Sequence, residues 1–168
     1  HPESPERLMS IYKGLSESGL LDKLVMISAE KANQQWIEAV HDEHYIERFE
    51  KICASGVPHF DHPDNGICRD TYEIAFLAVG GVLRAIDEVM NGKLDNAFCA
   101  VRPPGHHAEV ATPLGFCYFN NVAIGARYLQ KLYGIKRVGI IDFDVHHGNG
   151  TQHIFDQDYL GLKILQRR

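Results

Sequence analysis

Long apolar runs are missing from this chain of 168 residues. No stretch approaches the roughly 20 apolar residues that a membrane-spanning helix needs, so a membrane span is not expected. Basic runs are missing too, apart from Arg167-Arg168, and the formal charge is -5. A surface of its own for direct nucleic-acid binding is therefore not expected. The cysteines Cys53, Cys68, Cys99 and Cys117 lack any C-x-x-C spacing, which excludes a zinc ribbon and gives no disulfide framework. Reduced thiols point to a cytoplasmic compartment, or to the nucleus in a eukaryote. There is no internal repeat and no low-complexity segment. The length suits one domain with a sizeable core, and the start at His1 without an initiator Met reads as a fragment or processed product.

Apolar periodicity lays out the elements. Ser4 and Pro5 open a helix whose apolar positions are Leu8, Ile11, Tyr12 and Leu15, ending at Gly19. Trp36, Ile37 and Val40 start a short second piece. Asp42 caps a third helix that buries Tyr45, Phe49 and Ile52 and stops at Gly56. Residues 57–69 read as a long loop, of a length that is often functional. A helix from Asp70 or Thr71 to Met90 carries the stripe Ile74, Ala78, Val82, Ile86 and Val89. A strand Ala97–Val101 follows, then a helix from about Asn121 to Tyr133, a strand Val138–Asp144, and a helical turn Gly150–Phe155. Helices alternating with strands predict an α/β architecture with parallel crossovers.

Two clusters stand out against this frame. The first is VGIIDFDVHHGNG, Val138 to Gly150. Val138, Ile140 and Ile141 read as a strand buried on both faces. Such a strand does not end in Asp142 and Asp144 unless something compensates their charge. Alternation along an extended segment puts Asp142, Asp144 and His146 on one side. Residues two apart are then ~6.5 Å apart at Cα, which lets a carboxylate and an imidazole share one metal ion. The second cluster is RPPGHHAE, Arg102 to Glu109, directly after the apolar run Ala97–Val101. Ligand sites of open parallel sheets lie at the carboxyl ends of strands, so both clusters can face one crevice. Imidazole titrates near neutral pH, which suits His106 and His107 to proton transfer.

RPPGHHAE, then GFCYFNNVAIGA (Gly115 to Ala126), then IIDFDVHHGNGTQ (Ile141 to Gln152), resemble the zinc-dependent histone deacetylase family in order and spacing. HPESPERL, His1 to Leu8, resembles that family's N-terminal signature. The family also holds acetylpolyamine amidohydrolases and acetoin-utilisation proteins. The resemblance implies an arginase/deacetylase-like three-layer α/β fold with a parallel sheet, in truncated form. It implies that Asp144 and His146 are two ligands of one catalytic Zn2+, with a third Asp and an oxyanion tyrosine that no segment here matches. Tyr118, Tyr128, Tyr133 and Tyr159 do not fit that tyrosine's motif. The resemblance makes one or both of His106 and His107 the general base and acid, with Asp142 orienting His106 and Asn149 orienting His107. An Asn at this place is nearer the class II-like and bacterial branches. By the same resemblance Gly115 and Phe116 wall the acyl-lysine channel, Arg7 lies at its inner end as an acetate contact, and Asp61 is a rim acid for substrate backbone N–H groups. Backbone carbonyls of Asp142, Asp144 and His146 would line a monovalent cation site such as K+.

The reaction so implied is hydrolysis of an acetylated amine, acetyl-lysine in a peptide or protein or a small amine such as an acetylpolyamine. The alternative is a non-catalytic fragment that only binds or assembles. An arginase-like dimanganese hydrolase shares the Asp-x-Asp-x-His-His pattern in kind, but RPPGHH and GFCYFNN set this chain apart. The expected organisation is a partial domain over 1–158 and a divergent tail over 159–168 that does not read as a strand. A truncated sheet of this kind should leave an edge and an apolar face uncovered.

Overall fold

A computed structural model describes residues 3–158 and 162–166. His1 and Pro2 of the opening motif, Tyr159 and the Arg167-Arg168 pair lie outside the described residues. The helices are α1 (Glu6–Glu17), α2 (Gln34–Ile37), α3 (Glu43–Ser55), α4 (Thr71–Met90), α5 (Asn121–Tyr133) and α6 (Asn149–Phe155). The strands are β1 (His59–Phe60), β2 (His62–Gly66), β3 (Val138–Asp142) and β4 (Leu162–Gln166). β3 and β4 pair in parallel, with Val138 opposite Leu162 and Asp142 opposite Gln166. α6 lies in the crossover between them, as a parallel connection requires.

Local chemistry sets the helix ends. Asp42 accepts the Tyr45 N–H at the start of α3, and Gly56 ends that helix at φ 81°. Asn120 accepts the Ala123 N–H at the start of α5, and Gly134 closes it at φ 66°. Both are the expected oxygen cap and left-handed stop. The core is aromatic. Phe49 of α3 stacks on Phe60 at 5.2 Å and on Tyr118 at 4.9 Å, and meets Phe119 edge-on at 5.4 Å. α4 packs against α5, and α5 against β3, so the sheet's inner face and the helices share this core.

Several expectations are corrected. Ala97–Val101 is not a strand, because a strand needs a ladder partner. Beside it lies an open groove of about 570 Å³, walled by Tyr12, Val25, Ile27, Phe98 and Val101. Leu162–Gln166, not expected to be a strand, is one, since β3 offers it a complete parallel edge. The loop 57–69 contains an antiparallel hairpin of β1 and β2. In α4 the buried stripe is Ala75, Phe76, Val79 and Leu83, shared with Ala78, and Ile74 is 39% exposed. β3 is buried on one face only. Ile140 packs inward, while Ile141 is 71% exposed, followed by Phe143 at 84% and Val145 at 80%. Among the described residues no helix layer covers that outer face.

His41, at the turn between α2 and α3, carries a pH dependence into this core. It is buried, and its ring lies between Tyr45 and Phe119. Nε2 accepts the Asn120 N–H at 2.9 Å, so Nδ1 carries the proton toward the Val110 carbonyl at 3.3 Å. Burial pushes the imidazole pKa down to about 4. The unfolded chain takes up the proton below about 6.5, while the folded chain resists until about 4. The ring's contribution is therefore complete above pH 6.5 and is lost as pH falls to 4, by about 3 kcal/mol. Urea unfolding midpoints should fall across this window for the parent protein and less for His41→Gln. Parallel profiles for the two would contradict it.

Candidate functional site

The site is built on the segment that leaves β3. The strand stops at Asp142, two residues earlier than expected, and the chain then turns on its own carboxylates. Asp142 Oδ1 accepts the Asp144 N–H at 3.2 Å, and Asp144 Oδ1 accepts the His146 N–H at 2.7 Å. These side-chain turns replace strand alternation as the device that gathers the acids and imidazoles. Facing them is the loop 103–109. It is closed by the Ala108 N–H on the Gly105 carbonyl at 3.0 Å, and tied to α6 by the Thr151 N–H on the His106 carbonyl at 3.1 Å. Gly150 allows that tie, because a Cβ there would stand 2.2 Å from the Ala108 oxygen.

The two clusters meet. His106 Nδ1 lies 2.8 Å from Asp142 Oδ2, and His107 Nδ1 lies 2.7 Å from Asn149 Oδ1. An ionised carboxylate only accepts, so His106 donates from Nδ1 and keeps Nε2 for other work. The two rings are 4.1 Å apart, and His107 meets His146 edge-on at 6.0 Å. Burial lowers the His107 pKa, against a smaller upward pull from Asn149, and repulsion from His106 and His146 lowers it further. His107 is thus neutral near pH 7. The His146 backbone N–H holds the Asp144 carboxyl below its ordinary pKa, so it stays ionised.

Asp144 Oδ1 and His146 Nδ1 stand 3.0 Å apart and both are solvent-accessible. That spacing is near the ~3.3 Å edge of a tetrahedron with bonds of about 2.0–2.1 Å, so the pair fits two corners of a zinc site. Among the described residues, no third His, Cys, Asp or Glu completes a metal-holding group with them.

The residues expected to bind substrate fall in three places. Gly115 lies against the His107 ring, and Gly115 and Phe116 both stand at positive φ, 54° and 68°. A Cβ on Gly115 would stand 2.3 Å from the His107 ring, so glycine lets the wall touch the imidazole. Phe116 at such a φ is an unusual backbone for a bulky residue, held by its N–H on Asn65 Oδ1 at 3.1 Å. Asp61 tips the β1–β2 hairpin at φ 62° and pairs with Arg48 at 2.6 Å. Arg7 reaches the foot of the His loop, donating to the Val101 carbonyl at 2.7 Å and pairing with Glu3. The tyrosines set aside from the sequence have structural partners. Tyr118 donates to the Gly66 carbonyl, and Tyr128 and Tyr133 both donate to Asp87.

Sequence reasoning missed two buried supports. Asn65 donates to the Phe60 and Pro113 carbonyls while it holds Phe116. Asn120 donates to the Ala108 carbonyl at 3.3 Å and to Thr151 Oγ1 at 3.1 Å. Fully buried amides must be satisfied, but nothing in their spacing distinguishes them from surface turn residues before folding. Glu109 was visible in RPPGHHAE without an assigned part.

Gly115→Ala should displace the His107 ring and cost about 1–2 kcal/mol from the left-handed backbone alone. The loss should appear in chemical denaturation together with a shifted His107 ring resonance. An unshifted ring in a fully stable variant would show that the contact is not close.

With the geometry established, comparisons with known proteins place it. The model of the histone deacetylase domain matches residues 1–161. A histone deacetylase-like amidohydrolase of Pseudomonas aeruginosa is 40% identical over 99% of this chain and 44% of its own length. Histone deacetylase 6 of Caenorhabditis elegans is 42% identical over 94% of this chain and 18% of its own length. The polyamine deacetylase HDAC10 of Rattus norvegicus is 38% identical over 93% of this chain and 27% of its length. The chain thus spans less than half the length of these relatives. The crystal structure of the HDA15 HD domain superposes with TM-score 0.93 at 34% identity, covering 99% of this chain and 46% of that one. The expected deacetylase fold, an α/β domain with a parallel sheet seen here in part, is therefore the fold observed. The chain belongs to the histone deacetylase family.

Proposed function

We propose that the protein carrying this chain hydrolyses the amide bond of an acetylated amine, with acetyl-lysine or an acetylated polyamine as substrate. The supporting observation is the pair His106 and His107, 4.1 Å apart, one ring backed by a carboxylate and the other by a neutral amide. Amide hydrolysis needs a proton taken from the attacking water and a proton given to the departing amine. His107, neutral and donating from Nδ1 to Asn149, offers the Nε2 lone pair as base. His106, its Nδ1–H fixed on Asp142, takes that proton on from His107 at Nε2 and gives it to the departing amine, and Asp142 stabilises the imidazolium formed in between. Asp144 and His146 would hold a zinc ion, which when bound supplies Lewis-acid polarisation of the acyl carbonyl. Gly115 and Phe116 would flank the aliphatic stem of the substrate, and Asp61 would accept N–H groups at the rim.

A binding-only role draws on one observation, the two-ligand metal pair among the described residues. Turnover decides between the two readings. The protein carrying this chain should deacetylate an acetyl-lysine peptide or an acetylpolyamine, and chelation of its metal should abolish the rate. His107→Ala should lower it by roughly 10²–10⁴. Full activity in that variant, or in chelated protein, would overturn the assignment, and comparing the two substrates identifies the class.

A further inference from the structure

The amide of Asn149 has two faces, and only one of them can serve His107 as a proton acceptor. Its orientation must be set by something other than His107, because an imidazole can donate or accept at Nδ1 and would tolerate either. The structure supplies that element on the far side. Asn149 Nδ2 lies 2.6 Å from Glu109 Oε1, and 3.5 Å from the His107 carbonyl oxygen. Both are acceptors. Turned over, the amide would place Oδ1 against a carboxylate, two acceptors at hydrogen-bond distance with no proton between them. Glu109 is itself held, since His153 Nδ1 lies 2.8 Å from the same Oε1. Glu109 is mostly shielded, with 23% of its side chain exposed, while His153 stands at the surface.

We propose that Glu109 is a positioning residue: it fixes the Asn149 amide so that His107 must carry its proton on Nδ1, leaving Nε2 as the free lone pair. The proposal rests on the reading of His107 as the base only for its effect on rate. The line runs His153, Glu109, Asn149, His107, and joins α6 to the histidine loop by side chains alone. It also shows why a neutral Asn can stand where a carboxylate backs the neighbouring histidine. A carboxylate dictates direction by having no proton to give, whereas an amide needs a second group to dictate it. Glu109 is that group, one peptide unit beyond Ala108 in the loop that carries both imidazoles.

Glu109→Gln tests this with almost no change of volume. Glutamine can accept from Asn149 Nδ2 or donate to Asn149 Oδ1, so the lock is released while the packing remains. In ¹⁵N-histidine-labelled protein the His107 resonances should report the Nδ1–H tautomer alone in the parent, and a mixture with Nε2–H in Glu109→Gln. His153→Ala, at the surface, should move the signal in the same direction by less. The rate of deacetylation in Glu109→Gln should fall by about 10-fold, as for residues that orient an imidazole. An unchanged tautomer in Glu109→Gln, whatever the rate does, overturns the proposal. A shifted tautomer with an untouched rate upholds it and overturns instead the reading of His107 as base.

Discussion

One buried amide holds the two halves of the site together. Asn120 is fully buried and satisfies four directions at once. Its backbone N–H goes to His41, its Oδ1 caps α5 through Ala123, and its Nδ2 serves both the Ala108 carbonyl and Thr151 Oγ1. Those partners belong to the α2–α3 turn, helix α5, the histidine loop and helix α6. Without that amide the loop and helix α6 would meet across an unsatisfied buried carbonyl of Ala108 and hydroxyl of Thr151, each costing on the order of 1–3 kcal/mol. The distance between the His pair and the Asp144-His146 pair therefore depends on a residue that touches neither.

From this constraint follows the asymmetry of the two imidazoles. Both project from adjacent positions of one loop, so neither their backbone nor their exposure separates them strongly. Their partners do. His106 faces a carboxylate that attracts a positive ring, and His107 faces an amide within a region that burial makes unfavourable to charge. Two like groups held at 4.1 Å with different partners are suited to opposite halves of a proton exchange.

The residues of the site were legible in the sequence to a greater degree than the path that gathers them. Asp142, Asp144 and His146 were evident from an apolar strand that ends in charge, the His pair from RPPGHHAE, and capping chemistry placed α3 by Asp42 and Gly56. Strand alternation, however, was the wrong device beyond Asp142, where the carboxylates bond the backbone two residues on. Ala97–Val101 and Ile141 were misread for one reason. Apolar composition encodes a tendency to be covered, while a ladder or a buried face depends on a neighbour that sequence pattern does not name. Leu162–Gln166 was the converse, with modest local signal but a waiting edge on β3. Asn65, Asn120 and Glu109 act through long-range hydrogen bonds, which leave no periodic trace.

In the proposed reading, Asp144 and His146 beyond β3 would offer one oxygen and one imidazole nitrogen to a single zinc ion beside the histidine loop. X-ray absorption at the zinc edge of metal-loaded protein tests it most directly. The spectrum should show nitrogen and oxygen neighbours only, at about 2.0–2.1 Å, with an imidazole contribution that disappears in His146→Ala. A sulfur shell near 2.3 Å, or a spectrum indifferent to both Asp144→Ala and His146→Ala, would contradict it.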